Sequence, residues 1–209
     1  MKYTKIKHLL SLLSLLFIIN VSLAQNTVWM LNGKKTIIND YNINKYEDTH
    51  NLIYQNSRGK DKQIGVDEIF SVTDNTGEEK IFYKKDSLIG RFFTTKQMKD
   101  YVRGEFEAHK NYKAPLSTAL GFIAGGASVI IPLEKMFYAP LIPAVATTII
   151  GCTKPAEKKI KNKYPNYENN NYYILGYKES AKKKRINNAL KGSVAGMAAG
   201  IIVAFIIGN

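Results

Sequence analysis

The stretch ALKGSVAGMAAGIIVAFIIGN, Ala189 to Asn209, carries no charge after Lys191, and glycine returns at every fourth position: Gly192, Gly196 and Gly200. Residues four apart share one face of an α-helix, so this face lacks side-chain bulk. In lipid, apolar burial gives helices no drive to associate, and close backbone approach across such a face supplies the packing instead. The stretch therefore predicts a membrane helix over residues 192–209. Ser117, Gly121 and Gly125 repeat the spacing inside a run that is uncharged from Ala114 to Leu133, long enough to cross a bilayer. After Glu134-Lys135, residues Met136 to Thr153 are again uncharged, but Pro140 and Pro143 make this second segment short and broken. The region 114–153 reads as one membrane helix plus that proline-broken segment.

The two small-residue faces belong to a longer internal echo. YVRGEFEA from Tyr101 returns as YILGYKES from Tyr173, and ALGFIAG from Ala119 returns as ALKGSVAG from Ala189, at offsets of 72 and then 70 to 71. The pattern predicts two copies of a partly basic amphipathic helix running into a small-residue apolar helix. Over residues 101–209 the chain resembles the glycine-zipper membrane proteins of bacterial envelopes. That resemblance implies membrane residence and helix association, and it implies no reaction.

Residues 1–24 begin with Lys2, Lys5 and Lys7, continue as LLSLLSLLFII and end in VSLA, with Ser22 and Ala24 placed for cleavage ahead of Gln25. This is the pattern of a secretory signal peptide, and it predicts an exported N-terminal domain. Residues 25–90 alternate β-branched or aromatic residues with polar ones. The segments TVWML, KTIINDYNI, NLIYQN, KQIGVDEIFSV and EKIFYKK are punctuated by turns at Asn32-Gly33 and Asn75-Thr76-Gly77. Five short strands predict a small barrel or bent sheet, similar in pattern to SH3-like and Sm-like barrels. Residues 91–113 place Met98, Tyr101, Val102, Phe106 and His109 on one helical stripe, with Thr94 or Thr95 as N-cap. The fold class is α+β: a small N-terminal β-barrel or bent sheet, an amphipathic helix, and a Gly/Ala-rich helical membrane module.

The chain has 30 Lys and Arg against 17 Asp and Glu, and the excess is local. Residues 154–191 hold 11 basic groups and only Glu157, Glu168 and Glu179 as acids. Lysines beside a span bind anionic lipid at about 1 kcal/mol each, which assigns Lys158, Lys159, Lys161, Lys163, Lys182, Lys183, Lys184 and Arg185 to lipid contact. The interleaved Tyr164, Tyr167, Tyr172, Tyr173 and Tyr177 suit the headgroup level. This pairing of lysine with tyrosine also suits single-stranded nucleic acid, but beside two apolar segments the lipid role is simpler, and nucleic acid is not an expected partner.

Catalytic material is sparse. His8, His50 and His109 are the only histidines, Asp40 and Glu47-Asp48-Thr49-His50 lack metal-ligand spacing, and Cys152 is the only cysteine. No nucleophile motif or phosphate-binding loop is present, so neither an enzyme nor a bound cofactor or metal is expected. The sequence describes a non-enzymatic integral protein of a bacterial cell envelope, its exported β domain serving as a docking module for an unknown protein partner. The alternative is a small oligomeric pore or transport component, with copies joined through the glycine faces and Glu134-Lys135 on a polar path.

Topology divides the evidence. A literal repeat makes the two small-residue helices parallel and leaves the basic segment on the side of the β domain. The tendency of lysine-rich loops to stay in the cytoplasm favours the other arrangement, in which residues 114–133 cross once, the proline-broken segment dips in and returns, and the last helix runs outward.

Overall fold

The computed structural model describes residues 25–38, 41–46, 49–56, 59–129 and 141–207. The leader assignment, Glu134-Lys135, and the acidic residues Asp40, Glu47 and Asp48 lie outside them. Over the described residues the architecture is α+β, with two small antiparallel sheets followed by five helices. One sheet has the order β2-β1-β6-β7, built from β1 (Asn26–Met30), β2 (Lys35–Ile38), β6 (Ile69–Thr73) and β7 (Glu79–Ile81). The other has the order β3-β4-β5, built from β3 (Tyr41–Tyr46), β4 (Thr49–Gln55) and β5 (Asp61–Gly65). Between them Val28, Ile38, Leu52, Ile69 and Val72 form the core. The run KQIGVDEIFSV, expected as one strand, is divided by a 3-10 turn at Val66–Glu68 that carries the chain from one sheet to the other.

Helix α1 (Thr95–Asn111) starts at a capping box: Thr94 Oγ1 accepts from Gln97 N, and Gln97 Oε1 accepts from Thr94 N at 2.8 Å. It is buried on two sides. Val102 packs with Phe70 and Tyr83 of the β domain, beside Trp29, Leu31 and Met98, while Ala108 packs with Tyr173, Ile174 and Tyr177. After a break at residues 112–114, helix α2 (Pro115–Ser128) continues. Helix α3 (Leu141–Cys152) is regular: Pro143 falls in its first turn, where no intrahelical bond is lost. Of the segment expected to be proline-broken, Leu141–Cys152 is helical, and Pro140 lies outside the described residues.

A short helix α4 (Glu157–Lys163) leads to α5 (Asn171–Ile207), 37 residues in one piece. The basic stretch and the apolar terminus, expected as separate segments, share this helix, whose length is about 55 Å at 1.5 Å per residue. It pairs with α1 and α2 in parallel. A Cβ added at Gly104 would overlap the carbonyl oxygen of Tyr173, and one at Gly176 would overlap that of Tyr101. Further along, Gly121 and Gly125 meet the carbonyls of Ala189 and Ser193, while Gly192 and Gly196 meet those of Thr118 and Phe122.

Each contact is the mirror of its partner under a constant shift: 72 residues for Tyr101/Tyr173 and Gly104/Gly176, then 71 for Thr118/Ala189, Gly121/Gly192, Phe122/Ser193 and Gly125/Gly196. The one-residue change falls across the break at residues 112–114, which the continuous α5 lacks. The two halves therefore pack about a local pseudo-two-fold axis running along the helices. Gly151, at the end of α3, lies against Ile186, level with the start of α2, so α3 returns antiparallel to both. The charge-based arrangement requires α2 and α5 to run in opposite directions. Here they run the same way, and residues 154–186 lie at the β-domain end of the bundle, because backbone-to-backbone contact fixes the register.

Candidate functional site

The helical module is built with its small residues inside. Ser117, Gly121, Gly125, Gly192 and Gly196 are buried, and Gly200 is half-buried against Val129, whose Cγ2 would be 3.1 Å from an added Cβ. Ser117 and Gly121–Gly125 thus face the glycines of α5 within one chain. Large side chains point the other way. Leu116, Phe122 and Ile123 on α2, Leu141, Val145 and Ile149 on α3, and Leu190, Val194, Ile202 and Phe205 on α5 are all exposed. Helix α5 is long and apolar enough to cross a membrane, and only 22% of its most apolar window is buried. A core helix of a water-soluble protein has the opposite distribution.

The basic segment is less available than its composition suggests. Lys161 and Lys178 pair with Glu157 at 2.9 and 2.7 Å, and their bonds hold its carboxyl down at about 2. Lys183 reaches Glu105 at 3.1 Å, and Lys184 donates to the His109 carbonyl at 2.8 Å, capping the negative end of α1. Lys163 lies over the Tyr164 ring, and the Arg185 Nε is buried with no partner among the described residues. Lys158, Lys159 and Lys182 have no acidic partner among the described residues and remain open to an anionic surface.

The tyrosines expected at headgroup level are mostly a small core. Tyr167 stacks on Tyr173 at 4.1 Å, Tyr164 meets Tyr173 and Tyr177 edge-on or tilted at 5.8 and 5.6 Å, and Ile160 of α4 closes the cluster. Aromatic pairs of this geometry fix α4 against α5. Tyr172 instead joins α5 to α1, its hydroxyl accepting from Gln97 Nε2 at 2.7 Å and its ring meeting Phe93 at 5.3 Å.

The β domain meets α1 across a cleft of about 390 Å³, lined by Trp29, Phe70, Glu79, Lys99, Arg103 and Phe106 among others. Burial alone would raise the Glu79 carboxyl, but bonds from Lys99 and Ser71 hold it below its usual value. The Asn32-Gly33 turn rests on α1 at Glu105: Gly33 has φ +72°, and a Cβ there would overlap that of Glu105. Glu105 is 1% exposed, and its Oε2 lacks a partner among the described residues. Burial raises its carboxyl, Lys183 lowers it in part, and Glu179 raises it further.

A raised folded pKa means stability that is present at low pH and lost as pH rises through that value. Glu105→Gln removes this loss, so the variant should be at least as stable as the parent at neutral pH, the gap closing on acidification. Thermal unfolding in detergent across the weakly acidic range measures it. A gap of opposite sign at neutral pH, narrowing on acidification as the charge is lost, would show that the charge supports the fold.

Among the described residues no group of three or more metal-ligating side chains converges, and Thr49-His50 fall within β4. Cys152 is exposed at the end of α3. The residues that sequence reasoning missed are Gly104, Gly176 and Glu105; the matched glycines of the two repeat copies were the signal for the first pair. No protein-family model, no curated protein and no solved structure matches this chain.

Proposed function

We propose that the chain is a non-enzymatic integral protein of a bacterial cell envelope, a docking β domain carried on a glycine-zipped membrane anchor. The observation that carries this reading is the inverted helical module, with glycine and serine between the helices and leucine, isoleucine, valine and phenylalanine around them. In water, that much contiguous apolar surface drives aggregation, whereas in lipid it costs nothing. Lys158, Lys159 and Lys182, on the β-domain side, suit anionic headgroups of the nearer leaflet.

After an alkaline wash the native protein should stay with the membranes, and its mature N-terminus should be Gln25. Release into the soluble fraction would reject membrane residence, and an intact Met1 would reject the cleaved leader.

A further inference from the structure

The loop between β7 and α1 presents three large apolar side chains to solvent: Leu88 is 97% exposed, Ile89 63% and Phe92 66%. It is not loose. Asp86 N donates to the Arg91 carbonyl and Arg91 N to that of Asp86, at 3.0 and 2.7 Å. Leu88 N donates to Asp86 Oδ1 at 2.9 Å, and Gly90 takes φ +78° to close the turn. The turn is moored on both sides. Arg91 Nη2 donates to the Asp67 carbonyl at 2.6 Å, and the Tyr83 hydroxyl donates to that of Phe93 at 2.8 Å. An apolar tip held this firmly has already lost the conformational freedom that docking would otherwise take away.

The tip cannot enter the bilayer that α5 crosses, a statement that rests on the membrane reading above. Phe93 is level with Tyr172, and the helical rise from Tyr172 to Lys191, the last charge before the apolar end, is about 28 Å. Leu88 to Phe93 would span at most about 18 Å even if extended, and the turn is closed. Charge narrows the occupant further. Around the tip Lys84, Lys85, Arg91 and Lys96 stand against Asp86 and the neighbouring Asp67, while Lys99 is paired with Glu79, so the excess is positive and tip-to-tip contact between two copies would bring like charges together.

We propose that the Leu88–Phe92 turn is the docking tip of the β domain, and that it inserts into an apolar groove with an acidic rim on another envelope protein. Leu88, Ile89 and Phe92 fill the groove, while Lys84, Lys85 and Lys96 meet the rim and set orientation.

The test is a benzophenone-bearing side chain in place of Leu88 in the full-length protein, irradiated in native cells. The expected product is one dominant adduct with a second polypeptide, cross-linked at an apolar segment flanked by Asp or Glu. Lys84→Glu combined with Lys85→Glu should abolish that adduct, as should Ile89→Ser with Phe92→Ser, while protease resistance of the chain stays unchanged because these side chains are exposed. Adducts with lipid alone, with the chain's own copies alone, or insensitive to charge reversal would overturn the proposal, as would no adduct. An alkaline wash of the same membranes separates the two readings. A chain that stays in the membrane without an adduct rejects the tip alone, whereas a released chain rejects the anchor and, with it, the argument that excludes lipid.

Discussion

Gly196→Ala should unfold the helical module, Gly200→Ala should weaken it slightly, and Ile202→Leu should leave it unchanged. At Gly196 a Cβ would overlap the Phe122 carbonyl oxygen and stand 2.8 Å from its carbon, so α2 and α5 must separate along their length. Backbone cannot yield locally, and the cost is on the order of 3 kcal/mol or more. At Gly200 the nearest atoms are the Val129 Cγ2 and Cβ at 3.1 and 3.2 Å and the Gly126 carbonyl oxygen at 3.3 Å, so a shift of a few tenths of an ångström at the end of α2 relieves them. Ile202 already projects outward. The order of the three in protease resistance in detergent is the measurement. Equal losses at Gly196 and Ile202 would mean that the glycine contacts do not hold the helices together.

The second large effect is all-or-none. Single reporter cysteines at Asn170 and Thr76 in a Cys152→Ala background should be labelled together or protected together by a thiol reagent that crosses only the outer membrane. A tag fused after Asn209 should give the opposite result. Parallel packing of α1 and α2 with α5 requires this, since α3 returns between them and leaves residues 154–170 beside the β domain. Opposite labelling at Asn170 and Thr76 would restore the charge-based arrangement and reject the parallel pair.

The sequence carried much of this, unevenly. Glycine spacing located the close approaches of α2 and α5 because only glycine lets two backbones touch, and the echo of YVRGEFEA in YILGYKES already aligned Gly104 with Gly176. Their contact is not legible in composition, because both lie among charged residues rather than in an apolar small-residue run. Thr94 or Thr95 was visible as an N-cap, since that signal is local, and the structure selects Thr94, with Gln97 closing a capping box. The literal repeat already implied parallel α2 and α5, but lysine content weighed against it, because it reports how a chain inserts, while register is set by helix contact that composition does not express. Tyr164, Tyr167 and Tyr173 looked interfacial for a similar reason: nothing in their spacing says that α4 folds back to stack them.

Glu105 could not be anticipated. Its burial depends on the Gly33 turn of a hairpin more than seventy residues away in sequence, and a glutamate on an amphipathic helix ordinarily faces water.

The mirrored contacts of the two halves are the kind that a symmetric dimer makes with itself, yet here one covalent chain supplies both sides. Two separate helices would lose translational and rotational freedom on meeting, a term of about 4–15 kcal/mol, and would part on dilution. Joined through α3 and α4, they meet at an effective concentration set by the connection alone. The bundle's assembly is therefore a first-order event. A cell holding only a few copies of this protein would still have every one of them fully paired.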